Sequence, residues 1–257
     1  MQGKLRLKIL EMHFGANSGH IGCSLSCIDL LIAILGYKTP EDSFVLSKGH
    51  AASALYTMLS EVGEIPGEAL ATFYKDGTTL PAHPAPMKYK AIPFATGSLG
   101  HGLPLASGIA KSMKLRKTEG TSYVLMSDGE TNEGTTWEAA NFAVANKLDN
   151  LVVMVDKNGL QGFGSTKDIL GDTSTLAIWS TIGFDVLEAD GHDINALLQA
   201  KEELKSRKNG KPKVIIASTV KGKGVEYMES RMEWHYLPMN EAQYMDAREK
   251  IEATYLR

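Results

Sequence analysis

Cysteine is scarce in this chain, with only Cys23 and Cys27 among 257 residues. Four positions apart in an apolar stretch of helical character, they share a face, and neither their number nor their neighbours suit a zinc site. Long hydrophobic runs are missing as well. Ile28–Leu35, the longest candidate, falls far short of the ~20 apolar residues that span a bilayer. No charge is in strong excess: 27 Lys and Arg stand against 30 Asp and Glu. A net charge of −3 gives no electrostatic footing for nucleic acid or an anionic membrane. The one concentration of lysine, residues 201–213, is broken by acids and holds no aromatic residue, so it reads as a solvated helix end and loop. The opening MQGKLRLKIL is basic but lacks the apolar core and small-residue cleavage site of an export signal. A cytoplasmic protein without a membrane span is expected.

What is present is ordinary globular material, 43% hydrophobic and 22% charged, long enough to bury a full core as one domain. No repeat or low-complexity segment interrupts it. Strand-like runs (43–46, Tyr123–Ser127, Leu151–Asp156, Phe184–Ala189, Pro212–Thr219) alternate with helical ones. The helical runs lie near 4–14, Cys23–Gly36, from Ala51, Pro66–Tyr74, 104–117, Thr135–Asn146, up to Gly183, from Asp193 and Asn240–Leu256. This alternation predicts an α/β fold over residues 1–257: a doubly wound, mostly parallel sheet with helices on both faces.

Ser127–Gly162 is the most informative stretch. Strand Tyr123–Ser127 enters the turn Asp128-Gly129, a helix follows, and strand Leu151–Asp156 ends at Lys157-Asn158-Gly159-Leu160. A right-handed crossover puts both strand ends at one sheet edge, where open α/β sheets bind ligands. A carboxylate, an amide oxygen and a free carbonyl there form half a shell of hard donors for Mg²⁺ or Ca²⁺. Each pair alone also reads as a helix cap or a turn.

Other segments put histidines at chain breaks. Asn17-Ser18-Gly19-His20 interrupts a helix with residues that tolerate unusual backbone angles. Ser47-Lys48-Gly49-His50 precedes a helix N-terminus, where free N–H groups favour an anion and Lys48 and His50 suit one. His83 sits between Pro81 and Pro84 in a stretch, Pro81–Pro93, that holds four of the nine prolines, so its backbone is stiff. Lys221-Gly222-Lys223-Gly224 after a strand is a weak phosphate signal by itself, and Trp234-His235 follows fourteen residues after Lys221.

The pattern around Asp128 resembles the thiamine diphosphate motif: GDG, a glutamate, a helix and an asparagine about thirty residues on, with Ser127 replacing the first glycine. The text EGTTWEAANFAVANKLDNLVVMVDKNGLQG is similar to the transketolase version in particular. The resemblance implies that Asp128, Asn158 and the Leu160 carbonyl hold Mg²⁺ (or Ca²⁺ or Mn²⁺) against the diphosphate. It places Gly129 and Glu130 in the cofactor loop and the Ser127 hydroxyl close to phosphate. NSGH resembles the family's SGHPG, with Ile21 for proline, which implies that His20 contacts substrate. Cys23 falls where a small polar cofactor contact occurs. By the same likeness His50 contacts the diphosphate, and His83 binds and polarises substrate. Backbone at Gly97, Ser98 and Leu99 meets the cofactor, and Lys221 and His235 face it. Glu133 matches the motif glutamate, near a subunit contact that connects two cofactor sites; it also suits a first-turn helix acid. His101 stands where glutamine is usual and reads as a packed or solvent-facing residue, and His192 in DGHD as structural.

Five of the seven histidines therefore fall in motif segments. His20, His83 and His235 are expected to line a substrate channel as neutral imidazoles able to donate or accept. Members of the family continue into a pyrimidine-binding domain that supplies an activating glutamate, and then a third domain. Ending at Arg257, the chain is expected to be the N-terminal subunit of a split transketolase. Its partner would be a C-terminal subunit carrying the pyrimidine-binding domain, in a heterotetramer. The reaction implied is transfer of a two-carbon ketol unit from a ketose phosphate to an aldose phosphate. A deoxyxylulose-phosphate synthase-like enzyme would use pyruvate instead. A 2-oxo-acid dehydrogenase α subunit lacks NSGH, SKGH and the Trp-His pair, and four motif histidines argue against a non-catalytic cofactor-binding subunit.

Overall fold

A computed structural model describes residues 1–256. The elements run α1 (Gln2–Ala16), α2 (Ile21–Leu35), β1 (Ser43–Leu46), α3 (Ala52–Glu61), α4 (Gly102–Arg116), β2 (Ser122–Ser127) and α5 (Gly134–Ala145). There follow β3 (Leu151–Lys157), α6 (Thr166–Leu170), α7 (Leu176–Ile182), β4 (Asp185–Asp190), α8 (Ile194–Ser206), β5 (Lys213–Ser218) and α9 (Glu241–Tyr255). The five strands order β1-β2-β3-β5-β4 and every pairing is parallel. The doubly wound α/β expectation is met.

Strand periodicity decides what each face holds. Tyr123 and Leu125 of β2, Val152 and Met154 of β3, and Ile215 and Ala217 of β5 join one core with α1, α2, α3, α8 and α9. Val124 and Met126, Val153 and Val155, and Val214 and Ile216 point the other way, to α4, α5 and Trp179 of α7. Buried on both faces, these strands read as continuous apolar runs. Helix α2 is buried along its whole length, so its polar residues need internal partners. Asp29 finds them in the Arg6 guanidinium and in His192 Nδ1 at 2.8 Å. Because His192 Nε2 accepts from the Val220 amide at 2.9 Å, Nδ1 carries the proton and donates to Asp29. Arg6 Nε donates to the Lys223 carbonyl at 3.2 Å, so one buried cluster fixes both ends of the 220–223 loop. His192 is structural, as its sequence context indicated.

Two expectations change. Residues 66–74 form a 3-10 turn, Gly67–Thr72, rather than an α-helix. The 201–213 lysines are not all solvated: Lys201 is buried with Nζ on the Ala33 carbonyl at 3.0 Å, and Lys213 is buried against Asp185 at 2.7 Å. Lys201 caps a helix carbonyl in the core, and Lys213 joins Asp185, Asn209 and the Arg207 carbonyl in one polar cluster, information a local charge pattern does not contain. No helix among the described residues is long and apolar enough to cross a membrane.

Candidate cofactor and substrate site

An all-parallel sheet brings the carboxyl ends of its strands to one edge. β1 leads into Ser47–His50, β2 into Asp128-Gly129, β3 into Asn158, and β5 into the loop holding Lys221. Ser127 at the end of β2 registers with Asp156 on β3, so Asp128 and Asn158 leave adjacent strands as expected. Asp128 is buried, and its Oδ2 accepts from the Gly159 amide at 2.7 Å and the Thr166 hydroxyl at 3.0 Å. Its Oδ1 accepts from the Gly129 amide at 2.9 Å. Asn158 Oδ1 accepts from the Leu160 amide at 3.1 Å, and the Leu160 carbonyl accepts from Lys221 Nζ at 3.3 Å.

Burial, and then the Asp156 charge, push the Asp128 carboxyl up to about 6. Hydrogen bonds from Gly159, Thr166 and Gly129 only partly offset this, and no ammonium or guanidinium pairs with Asp128 among the described residues. A buried carboxylate with an amide oxygen and a carbonyl close by suits a hard divalent cation, which would supply the missing positive charge. Asn158, Leu160, Gly129, His50, Lys221 and His235 border one cavity of about 400 Å³ beside it. Leu99 and Glu133 lie on the same cavity, Glu133 exposed at its rim where α5 begins.

The four expected imidazoles converge although they come from four segments. The His20 ring centroid lies 5.2 Å from that of His235, 5.8 Å from His50 and 6.1 Å from His83. His50 and His235 stack at 5.6 Å. His20 stands at φ +67° just before α2, a left-handed geometry that aims it out of the helix toward the others. Gly97, at φ +134°, is needed for a second reason: a Cβ there would lie 2.5 Å from the His83 ring. Burial lowers His20 and His50 to about 4, and His235 to about 3 with help from Lys221 and Lys48. Lys221 Nζ donates to His235 Nδ1 at 2.9 Å, which leaves the proton of a neutral imidazole on Nε2. Cys23 lies 3.6 Å from the same Nδ1. Its thiol, raised by burial, is brought down to about 6 by Lys221, His50 and Lys48.

Three sequence expectations need correction. Glu130 does not face the cavity: its carboxylate accepts from the Ser127 amide at 2.8 Å, the Gly100 amide at 3.0 Å and the Ser47 hydroxyl. It ties together the ends of β1 and β2 and the 97–100 loop, so its carboxylate is spent on the fold rather than turned to the cavity. The Ser127 hydroxyl, expected near phosphate, turns to Glu130 at 3.3 Å and closes a capping box. Lys48, expected to meet an anion, is buried on Asp156, with Nζ also donating to the Cys23 carbonyl at 3.2 Å. The Thr219 hydroxyl donates to the other oxygen of Asp156 and completes this link between β3 and the β5 loop. Thr219 belongs to no local motif, so its pairing with Asp156 carried no signal in the sequence. Ser98 and His101 are exposed, and His101 Nδ1 donates to the Leu99 carbonyl at 3.1 Å, consistent with a solvent-facing histidine.

Residues 4–254 match the family model described as "Transketolase, thiamine diphosphate binding domain". The chain is 40% identical over 245 residues to a subunit of the apulose-4-phosphate transketolase of Actinobacillus succinogenes, covering 90% of this chain and 87% of that protein. It is 36% identical over 244 residues to a 6-deoxy-6-sulfo-D-fructose transketolase subunit of a Clostridium species, covering 91% and 88%. Among solved structures, Pichia stipitis transketolase in complex with sedoheptulose 7-phosphate superposes with a TM-score of 0.90 at 27% identity. That match takes in 97% of this chain and 40% of the other.

Proposed function

Because the chain belongs to the transketolase family through its thiamine diphosphate-binding domain, we propose that it is the cofactor-anchoring subunit of a two-chain transketolase. Its reaction is transfer of a two-carbon ketol unit from a ketose phosphate to an aldose phosphate. The observation that carries this reading is that Asp128 and Asn158 leave adjacent strand ends beside a cavity bordered by Asn158, His50 and His235, with the rings of His20 and, through it, His83 packed against those two imidazoles.

Asp128, Asn158 and the Leu160 carbonyl would hold Mg²⁺. Gly129, His50 and Lys221 would receive the diphosphate, together with backbone of Gly97, Ser98 and Leu99. Lys221 would leave Leu160 for phosphate oxygen. Thiamine diphosphate, when bound, supplies the nucleophilic carbon that makes and breaks the bond beside a ketose carbonyl. The chain's own part is to present neutral His20, His83 and His235 to the sugar oxygens. In that state His20 and His83 can each donate one hydrogen bond and accept another, while His235, its Nδ1 held by Lys221, donates from Nε2, which suits proton movement at hydroxyl and carbonyl oxygens near neutral pH. Glu133, exposed at the rim, would meet a neighbouring subunit.

The partner is a C-terminal transketolase subunit carrying a pyrimidine-binding domain, in a heterotetramer. Two features support it. Relatives matched over most of their own length are named as single subunits of transketolases. The apolar side chains Phe163 and Leu170 are 89% and 69% exposed at the cavity edge. Mixing the chain with such a partner, thiamine diphosphate and Mg²⁺ should give ketol transfer from xylulose 5-phosphate, absent from either chain alone. Full activity from this chain alone, or a requirement for pyruvate as donor, would overturn the reading.

A further inference from the structure

Tyr236 is half-exposed, yet its surroundings are shaped around it at both ends. Its hydroxyl donates to the Gly162 carbonyl at 2.8 Å across the cavity mouth. A Cβ on Gly162 would sit 2.3 Å from that hydroxyl oxygen, and a Cβ on Gly19 would sit 2.2 Å from the Tyr236 carbonyl. Any side chain at either position would displace the tyrosine. Between these contacts its ring lies 4.7 Å from His235 and 6.2 Å from His20. Tyr236 thus bridges the segment carrying the substrate histidines and the loop after β3 that borders the cofactor cavity.

Charge offers this chain little means of choosing among sugar phosphates. Lys221, the one ammonium among the described residues bordering that cavity, donates to His235 and is assigned to the diphosphate by the reading above, so it is not free for the sugar phosphate. Lys48 is sealed under the site by Asp156. Selection by this chain has to come from shape.

We propose that Tyr236 is a specificity-determining residue whose ring narrows the passage outside the His20–His235 pair and favours short ketose donors over long ones. The proposal rests on the ketol-transfer reading above. A donor held with its carbonyl at the histidines extends its remaining carbons outward past the ring, so each added carbon meets that wall.

The test uses the two-subunit holoenzyme with erythrose 4-phosphate as acceptor. Xylulose 5-phosphate and sedoheptulose 7-phosphate serve as alternative donors, and fructose 6-phosphate is the common product. Tyr236→Ala should raise kcat/KM for the seven-carbon donor relative to the five-carbon one by about five-fold or more, the scale of a steric pocket change. Tyr236→Trp should move the ratio the opposite way. Tyr236→Phe, which keeps the ring and loses only the bond to Gly162, should leave it within about two-fold. An unchanged ratio in Tyr236→Ala, or an equal shift in Tyr236→Phe, overturns the proposal while ketol transfer stands. A wild-type pair inactive with both donors overturns it together with the reading beneath it.

Discussion

The amide of His20 donates to the carbonyl of His235 at 3.2 Å, joining residues that lie at opposite ends of the chain. This backbone contact holds their rings 5.2 Å apart, so protonating one raises the cost of protonating the other. Burial is the larger cause at both, joined at His20 by His235 and at His235 by Lys221 and Lys48, and the pair stays neutral well below the ordinary histidine pKa near 6.5.

A pH dependence follows. His13, His20 and His50 are lowered to about 4 and His235 to about 3, in each case with burial as the largest cause. Between about 6.5 and 4 the unfolded chain binds protons at these positions that the folded chain refuses. Their contribution to stability is therefore complete above pH 6.5 and lost as pH falls toward 4. Asp128, raised to about 6, works against this in part. The ring Cε1 proton resonances of His20 and His235 should show no imidazolium titration from pH 7.5 to 5.5, only the smaller shift at His235 as the Cys23 thiol beside it titrates near 6, whereas the exchange-averaged signal of the unfolded chain titrates fully. Titration of either ring near pH 6.5 in the folded protein would contradict the assignment.

His83 is exposed, with its ring against His20 and Gly97, and it is proposed to meet substrate rather than the diphosphate. Replacing it with alanine should lower kcat by ~10²-fold, the scale of one general acid–base group. Thiamine diphosphate affinity, followed by quenching of tryptophan fluorescence, should remain within about three-fold, a difference of under ~1 kcal/mol. Loss of cofactor binding would show that its role lies elsewhere.

The Lys48–Asp156 pair ties the turn after β1 to β3, while the lysine also donates to the first turn of α2 through the Cys23 carbonyl. Both side chains are buried, so Lys48→Met leaves a carboxylate without its cation. The expected loss is ~3–5 kcal/mol of folding stability, read from urea unfolding midpoints. Adding Asp156→Leu should recover part of that loss, because the uncompensated charge goes with it. A single Lys48→Met variant as stable as the wild type would rule out this role.

Glu130 has a positioning role that can be separated from ligand contact. Glu130→Ala strands the Ser127 and Gly100 amides, each an unsatisfied buried donor worth ~1–3 kcal/mol. Stability and cofactor affinity should fall together, with Glu130→Gln intermediate because it retains one acceptor oxygen. Weakened cofactor binding with an unchanged melting temperature would instead indicate direct contact.

Cation dependence can be tested at Asp128. Chelation with EDTA should release thiamine diphosphate from the wild-type protein, and Mg²⁺ or Ca²⁺ should restore binding. Asp128→Asn should bind cofactor weakly whether or not the cation is present, since it lacks the charge that compensates the metal. Retained cation-dependent affinity in that variant, measured by calorimetry, would place the metal elsewhere.

Residue order alone determined a good deal here. Alternating apolar runs and turn residues indicated five strands in a mostly parallel sheet, because a buried sheet needs apolar side chains on both faces. Polar and glycine residues at chain breaks left Asp128, Asn158, His20, His50, His83 and His235 open to plain cap and turn readings, and the resemblance to the transketolase motifs is what singled them out. Only the tertiary structure decided which polar groups are spent internally. Glu130, Lys48 and Ser127 occupy motif positions that look ligand-facing, yet each is claimed by partners far away in sequence or by a local cap. The clamp of Gly19 and Gly162 around Tyr236 was equally out of reach of a linear reading. Burial makes an unpaired polar atom costly, so the packing of distant segments assigns hydrogen bonds that no local pattern encodes.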